Sequence, residues 1–169
     1  MCYNRVSQAP LIGKSIERIH AWRYGCVHLL RELSMIKLHL PFIPPTSNHT
    51  QKNALMGKRI IRYNTPTYNA FKAQVVDELC IDNYDLDLEA FTAFLAIPHK
   101  VTINIYSPKV LTKKGEVSKT FGDVDNFIKP LLDAVYKPLG ANDALVMQVT
   151  ASKFQADNEA TSIFWEPLL

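Results

Sequence analysis

Two aspartates, Asp123 and Asp125, lie two positions apart in the stretch FGDVDNFIK. In an extended backbone such side chains point to the same face, so the two carboxylates can converge on one point. Adjacent carboxylates repel each other, and a divalent cation is the usual way to neutralise them. Because Mg²⁺ is typically held by one or two carboxylates with water and phosphate oxygens, the spacing indicates a metal site for phosphate chemistry. The alternative is that Asp125 and Asn126 only cap a following helix and that Asp123 is a solvated loop residue.

An amphipathic helix follows the two aspartates. Apolar residues at 127, 128, 131, 132 and 135 predict a helix over 126–137, with Asp125 or Asn126 as its cap. Lys129 lies one turn after Asp125 on the same face, where its ammonium can sit beside a phosphate. The competing interpretation is an ion pair between Lys129 and Asp133, which is also four residues away.

A third carboxylate comes after this helix. The segment PLGAND, residues 138–143, is typical of a turn, and residues 144–154 alternate as a strand does. A strand that returns antiparallel to the helix can bring Asp143 back toward Asp123 and Asp125. The sequence therefore indicates three candidate metal ligands.

These motifs, GDVDN with FIK and PLLDAV and then ND before ALV, closely resemble the signature of the RusA family of Holliday junction resolvases. The segment MIKLHLPFIPPTSN, residues 35–48, is similar to the family's opening strand and its Pro-Pro-Ser-x-Asn turn, with Thr46 in place of the serine. The resemblance spans about residues 35–166 and is most specific over 122–146.

The resemblance implies that Asp123, Asp125 and Asp143 bind the metal and that Lys129 is catalytic. Asn142 stands where many members of the family have a second acid. The implied cofactor is Mg²⁺, with Mn²⁺ as a substitute. The implied protein is a homodimer that resolves four-way DNA junctions by paired phosphodiester hydrolysis, in DNA recombination and repair. The expected fold class is α+β, with a RusA-like mixed sheet of about four strands and two main helices.

Two other functions stay open on the sequence. One is a nuclease of the same fold that acts on flaps, forks or a nicking target. The other is a junction-binding protein without catalysis, which the absence of a second acid at position 142 makes a real alternative.

The charges are unevenly distributed along the chain. The net charge is +3, and residues 35–169 carry fourteen charges of each sign. Basic residues gather in two segments, at 52–62 and 109–119, where they suit a phosphate backbone or simply solubilise two loops. The candidate DNA contacts are Asn48, Lys58, Arg59, Arg62, Tyr63, Lys113 and Lys114.

The remaining elements follow from periodicity and turn residues. Strands are expected over 36–42, 101–106 and 161–165, and a helix is expected over 68–80 after Thr65 and Pro66. A polar, flexible segment is expected over 44–63. Residues 86–97 fit a helix or a strand equally well.

The chain is divided at Met35. Residues 1–34 form an extension outside the resemblance, and their apolar spacing over 14–33 fits a short amphipathic helix. The extension is either a genuine appendage or dispensable. Residues 35–169 are the expected endonuclease domain. No apolar run is long enough to span a membrane, the N-terminus does not resemble a secretory signal, and the three cysteines lack metal or disulfide spacing. The cytoplasm is therefore the expected compartment.

Overall fold

The computed structural model describes residues 35–80 and 86–168. Its strands and helices are β1 (Ile36–Leu40), β2 (Gln51–Met56), β3 (Arg59–Asn64), α1 (Pro66–Cys80), α2 (Leu88–Phe94), β4 (His99–Ser107), α3 (Asp125–Tyr136), β5 (Val146–Gln155) and β6 (Ala160–Pro167). Short 3₁₀ turns span Ser47–His49 and Asp143–Leu145. The helix expected over 14–33 lies outside the described residues. The α+β class is confirmed.

Four strands form one mixed sheet in the order β1-β6-β4-β5. β6 is antiparallel to both of its neighbours, whereas β5 runs parallel to β4. Parallel neighbours need a crossover connection, and α3 lies in the one that joins β4 to β5. The mixed four-stranded sheet agrees with the sequence expectation, and α3 occupies the connection that carries the candidate site.

Periodicity placed the main elements correctly. β4 alternates strictly between buried and half-buried residues, and Val101, Ile103 and Ile105 are completely buried. On α1 the buried residues are Tyr68, Phe71, Val75 and Leu79, the spacing of one helical face. The hydroxyl of Thr65 accepts a hydrogen bond from the backbone N–H of Tyr68 at 3.3 Å, which caps the first turn of α1.

The ambiguous segment 86–97 contains a helix. Its start is set by Asp87, whose carboxylate accepts hydrogen bonds from the backbone N–H groups of Glu89 at 2.9 Å and Ala90 at 3.1 Å. Phe91 of this helix packs edge-on against Trp165 of the sheet, with ring centroids 4.8 Å apart. The described residues thus form a third helix, α2, beyond the two main helices that were expected.

The expectation of a polar, flexible segment over 44–63 is wrong. β2 and β3 pair antiparallel as a hairpin, and the two-residue turn Gly57-Lys58 joins Met56 to Arg59. Gly57 has a φ of +62°, the positive value that tight hairpin turns require. The prediction failed because this hairpin lacks the alternation of apolar and polar residues by which a half-buried strand is recognised.

A buried chain of polar groups joins the sheet to α3. The imidazole Nδ1 of His99 donates a hydrogen bond to the carbonyl oxygen of Ile97 at 2.6 Å. Nε2 is therefore the acceptor, and the Tyr136 hydroxyl donates a hydrogen bond to it at 2.6 Å. The Tyr136 oxygen also accepts from the indole N–H of Trp165 at 3.0 Å. Every polar atom of this chain has a partner, as burial demands.

Within the described residues, no helix is long and apolar enough to cross a membrane.

Candidate functional site

The loop before α3 carries the first two candidate ligands, both exposed. Asp123 lies in the loop, and its carbonyl oxygen accepts a hydrogen bond from the N–H of Asn126 at 3.2 Å. Asp125 is the first residue of the helix, and Val124 before it already has helical backbone angles. The prediction that Asp125 or Asn126 is the residue that caps the helix is therefore wrong. The two aspartates flank the start of the helix, which is the positive end of the helix dipole.

The Pro-Pro turn is fastened to the first turn of α3. The hydroxyl of Ser47 donates to the side-chain oxygen of Asn126 at 2.8 Å. The backbone of Gly122, at a φ of +96°, passes so close to this turn that an added Cβ would lie 3.1 Å from Cγ2 of Thr46. Only a glycine fits there without strain. The two motifs on which the sequence resemblance rested are thus in direct contact.

Sequence reasoning missed Lys153, which holds the aspartate loop from β5. Its ammonium donates to the carbonyl oxygen of Gly122 at 2.7 Å and lies 5.6 Å from the ring centroid of Phe121. In the sheet Lys153 is opposite the buried Ile105, so it faces the core side of an edge strand. A lysine on the inward face of a predicted strand is the only sequence signal that could have found it.

Lys129 forms the ion pair with Asp133 that the sequence offered as the competing interpretation, and it also contacts Asp143, which the sequence did not predict. Its ammonium nitrogen lies 3.1 Å from Oδ1 of Asp133 and 3.1 Å from Oδ2 of Asp143. Hydrogen bonds to Asp133 and then to Asp143 raise the pKa of Lys129 above its ordinary value, so the side chain is a cation at neutral pH. Although 68% of the side chain is exposed, it links α3 to the third candidate ligand.

Asp143 is the first residue of the 3₁₀ turn that leads into β5. The side-chain oxygen of Asn142 accepts a hydrogen bond from the N–H of Ala144 at 3.0 Å, and so it caps this turn. The residue in place of a second acid therefore has a structural partner in this chain.

The chemical type of the three aspartates fits a hard divalent ion, because their side chains offer only carboxylate oxygens, the ligands that Mg²⁺ prefers. The protein itself already places a cation, the Lys129 ammonium, against Asp143. Across residues 35–80 and 86–168, however, no group of three or more His, Cys, Asp or Glu side chains is close enough to hold a metal ion. Asp123, Asp125 and Asp143 are not brought together as one such group, and their role as metal ligands stays a prediction.

A groove of about 720 Å³ adjoins the aspartate loop. Asp123 and Asn126 lie at its wall, Phe71 and Phe127 supply apolar surface, and Lys119 adds a positive charge. Of the candidate DNA contacts, Asn48 lines this groove. Lys58, Arg59, Arg62 and Tyr63 lie on the exposed hairpin, and Lys113 and Lys114 lie in an exposed turn of the β4–α3 loop.

A protein-family model matches most of the chain. The model of the family described as endodeoxyribonuclease RusA matches residues 41–164, which include every candidate site residue. No curated protein is a significant match to the chain. The match covers well over half of the sequence, and this chain belongs to the RusA family of endodeoxyribonucleases.

Proposed function

We propose that this protein is a Mg²⁺-dependent, homodimeric endonuclease that resolves four-way DNA junctions by paired phosphodiester hydrolysis, in recombination and repair. The observation that carries the proposal is the contact between Lys129 and Asp143. Lys129 lies on α3, the helix that begins at Asp125, and the chain belongs to a family of endodeoxyribonucleases. This contact gathers a permanent cation and carboxylates on one exposed surface, as phosphate chemistry requires.

In the proposed reaction, Asp123, Asp125 and Asp143 would hold a divalent ion. A bound ion would supply an activated water and would neutralise charge on the phosphate. Mn²⁺ has the same preference for oxygen ligands and can take its place. Lys129 remains protonated and donates to a phosphate oxygen as negative charge develops there. Lys153 keeps Asp123 in place by holding the carbonyl oxygen of Gly122.

The DNA backbone is expected to run along the groove and its basic surroundings. Asn48 lies in the groove wall, and the hairpin and the β4–α3 loop carry the other proposed contacts, which are Lys58, Arg59, Arg62, Tyr63, Lys113 and Lys114. A four-way junction has two strands to cut, so symmetric resolution needs two sites related by a two-fold axis, and a homodimer supplies them.

The test is cleavage of a labelled, immobile four-way junction beside a linear duplex of the same arm sequence, with Mg²⁺ and with EDTA. Symmetric cuts confined to the junction and dependent on Mg²⁺ are expected. Asp123→Asn should abolish cutting yet leave junction binding equal or tighter, because it removes a negative charge that faces phosphate. Asp157→Asn, an exposed carboxylate in the β5–β6 turn, is the matched control and should cut like the wild type.

Several results would overturn this assignment. If Asp123→Asn unfolds or loses binding, Asp123 is structural. Cutting of flaps or forks in preference to the four-way junction would make the protein a nuclease for other branched DNA.

Two observations favour a second candidate, a junction-binding protein without catalysis. Within the described part of the chain no three-acid metal group is assembled, and Asn142 occupies the position of a second acid. Tight junction binding in EDTA, with no cutting at any Mg²⁺ or Mn²⁺ concentration, would support this function in place of the first. Asn142→Asp is then the first variant to test for a gain of cleavage.

A further inference from the structure

The β2–β3 hairpin projects from the domain. All of its strand residues are exposed except Asn64, which is half-buried. Leu55, Met56 and Ile60 near the tip are 76%, 70% and 75% exposed. An isolated two-stranded hairpin is only marginally stable in water. Exposed apolar residues clustered at its tip are typical of a surface that binds another molecule.

The hairpin register places two of these apolar residues side by side. Leu55 is directly opposite Ile60, and opposite residues of an antiparallel pair share one face. The next pair on that face is Asn53 with Arg62. One face of the arm therefore has an apolar pair at the tip and a cation behind it.

The charge of the hairpin indicates what kind of partner it accepts. Lys52, Lys58, Arg59 and Arg62 are basic, and residues 51–64 contain no acid. A second copy meeting this surface through the same hairpin would bring four like charges against four, which is unfavourable. A polyanion is attracted by the same charges, and phosphate contacts of this kind supply most sequence-independent affinity for DNA.

The base of the hairpin is tied to the candidate site. Thr65 donates from its N–H to the carbonyl oxygen of Thr50 at 2.9 Å, and from its hydroxyl to the carbonyl oxygen of His49 at 2.7 Å. The Thr50 hydroxyl donates to the carbonyl oxygen of Ser47 at 2.7 Å, and Ser47 in turn contacts Asn126 at the start of α3. His49 also lines the groove that contains Asp123. The arm thus starts at the wall of the groove, beside the aspartate loop.

The size of the hairpin suits nucleic acid. A strand of six residues is about 20 Å long at roughly 3.3 Å per residue. A two-stranded ribbon of this kind fits a DNA groove, and exposed Leu, Ile and Met side chains are among those that DNA-bending proteins insert between base steps. Unstacking costs least for a base whose stacking or pairing is already disturbed, and in an open four-way junction the stacking between the arms is interrupted at the branch.

We propose that the β2–β3 hairpin is a DNA-binding arm, in which the basic residues hold phosphates and the Leu55–Ile60 tip wedges between bases at the branch of the junction. This inference rests on the proposed function, because it takes branched DNA as the substrate. It assigns the recognition of the branch to the arm, and cleavage to the aspartates and Lys129.

The wedge is tested with the double variant Leu55→Ser, Ile60→Ser in the full chain. The probe is a four-way junction with 2-aminopurine next to the branch, whose fluorescence rises when the base unstacks, measured in EDTA. The wild type should raise the fluorescence, whereas the variant should not, even at saturating protein. Junction affinity should fall about tenfold, a loss near 1.4 kcal/mol, while affinity for linear duplex changes less than twofold. Met147→Ser, on β5 and 67% exposed, is the matched control and should behave like the wild type.

The phosphate contacts are tested with Lys58→Gln, Arg62→Gln in the full chain. This variant should bind junction and duplex more weakly by similar factors, and the slope of log affinity against log salt should become shallower by about 2. Lys37→Gln on β1, at the sheet edge opposite β5, removes a surface charge outside the arm and should keep the wild-type slope.

The outcomes distinguish a failure of the proposed DNA-binding arm from a failure of the proposed nuclease activity. If the wild type cuts junctions, and the tip variant gives the same fluorescence and affinity, the wedge is wrong while the nuclease stands. If the tip variant changes the molecular mass in solution, the tip is an interface between copies of the chain, which also overturns the wedge. If the wild type unstacks the branch but never cuts it, the proposed catalysis fails and the arm stands.

Discussion

Lys129 contacts Asp133 and Asp143 at equal distances of 3.1 Å, so the ammonium is held in a defined position before any substrate arrives. The two carboxylates keep it protonated by raising its pKa. An exposed ion pair of this kind stabilises the fold only slightly. Its main effect is to orient the Lys129 ammonium. At the scale of single residues, the candidate site is therefore built from contacts that position charges.

Gly122 is the residue at which backbone strain and close packing coincide. Gly122→Ala should lower the free energy of unfolding by about 1–3 kcal/mol, because alanine is strained at a φ of +96° and its Cβ would press on Thr46. Cleavage of the junction should fall as well, since Asp123 is the next residue. The measurements are urea unfolding and initial cleavage rate.

Gly115→Ala is the matched control for this change. Gly115 has a φ of +79° but nothing within 4 Å of an added Cβ, so it shares the backbone strain without the contact. It should lose stability yet keep wild-type cleavage. Wild-type cutting by Gly122→Ala would show that the loop tolerates the displacement and that its close packing is irrelevant to the site.

The elements of the site are held together by a few long-range contacts. The 3₁₀ turn at Ser47–His49 is fastened to α3 through Asn126, and β5 is fastened to the aspartate loop through Lys153. The hairpin continues from the same 3₁₀ turn. Movement of any of these elements would therefore shift the loop that carries Asp123.

Lys153 is predicted to be a positioning residue. Lys153→Met should lower the cleavage rate about ten- to a hundredfold, because the loop loses the hydrogen bond that fixes the carbonyl of Gly122. Lys153→Arg keeps a donor and should recover part of the rate, whereas the apparent affinity for the junction in EDTA should be similar in both variants. Lys100→Met, which breaks a surface ion pair with Glu166, should cut normally. A loss of junction binding equal to the loss of rate would make Lys153 a direct DNA contact instead.

At the scale of the whole molecule, the buried chain of His99, Tyr136 and Trp165 couples folding to pH. Burial lowers the pKa of His99 below its ordinary value of 6.5. The native state thus binds fewer protons than the unfolded state between the lowered pKa and 6.5, and stability rises with pH in that window. The contribution is complete above pH 6.5 and is lost as the pH falls through the lowered pKa.

The expected result is a free energy of unfolding that decreases as the pH is lowered from 8 toward 5, measured by urea denaturation at each pH. His99→Gln should be less stable at neutral pH but should show a shallower pH dependence, because it has no imidazole to protonate. His49→Gln, at an exposed position, should keep the wild-type dependence. Parallel curves for the wild type and His99→Gln would remove His99 as the cause.

What the sequence alone determined was the local structure and the family. The apolar spacing placed α1 and α3 within a residue or two of their ends, and strict alternation located β4, because side chains on one face of an element repeat at fixed intervals. The motifs around Asp123, Asp125 and Lys129 were enough to indicate RusA, which the family match confirms.

Only the tertiary structure decided which distant groups meet. The contacts of Ser47 with Asn126 and of Lys153 with Gly122 join residues that are 79 and 31 positions apart, and no local periodicity encodes such pairs. The hairpin was also missed, because both of its faces are exposed and mixed in polarity. The sequence signal for its pairing is the turn residue Gly57, and no hydrophobic pattern accompanies it. Periodicity reports which side of an element is buried, whereas the packing of elements determines which charges come together.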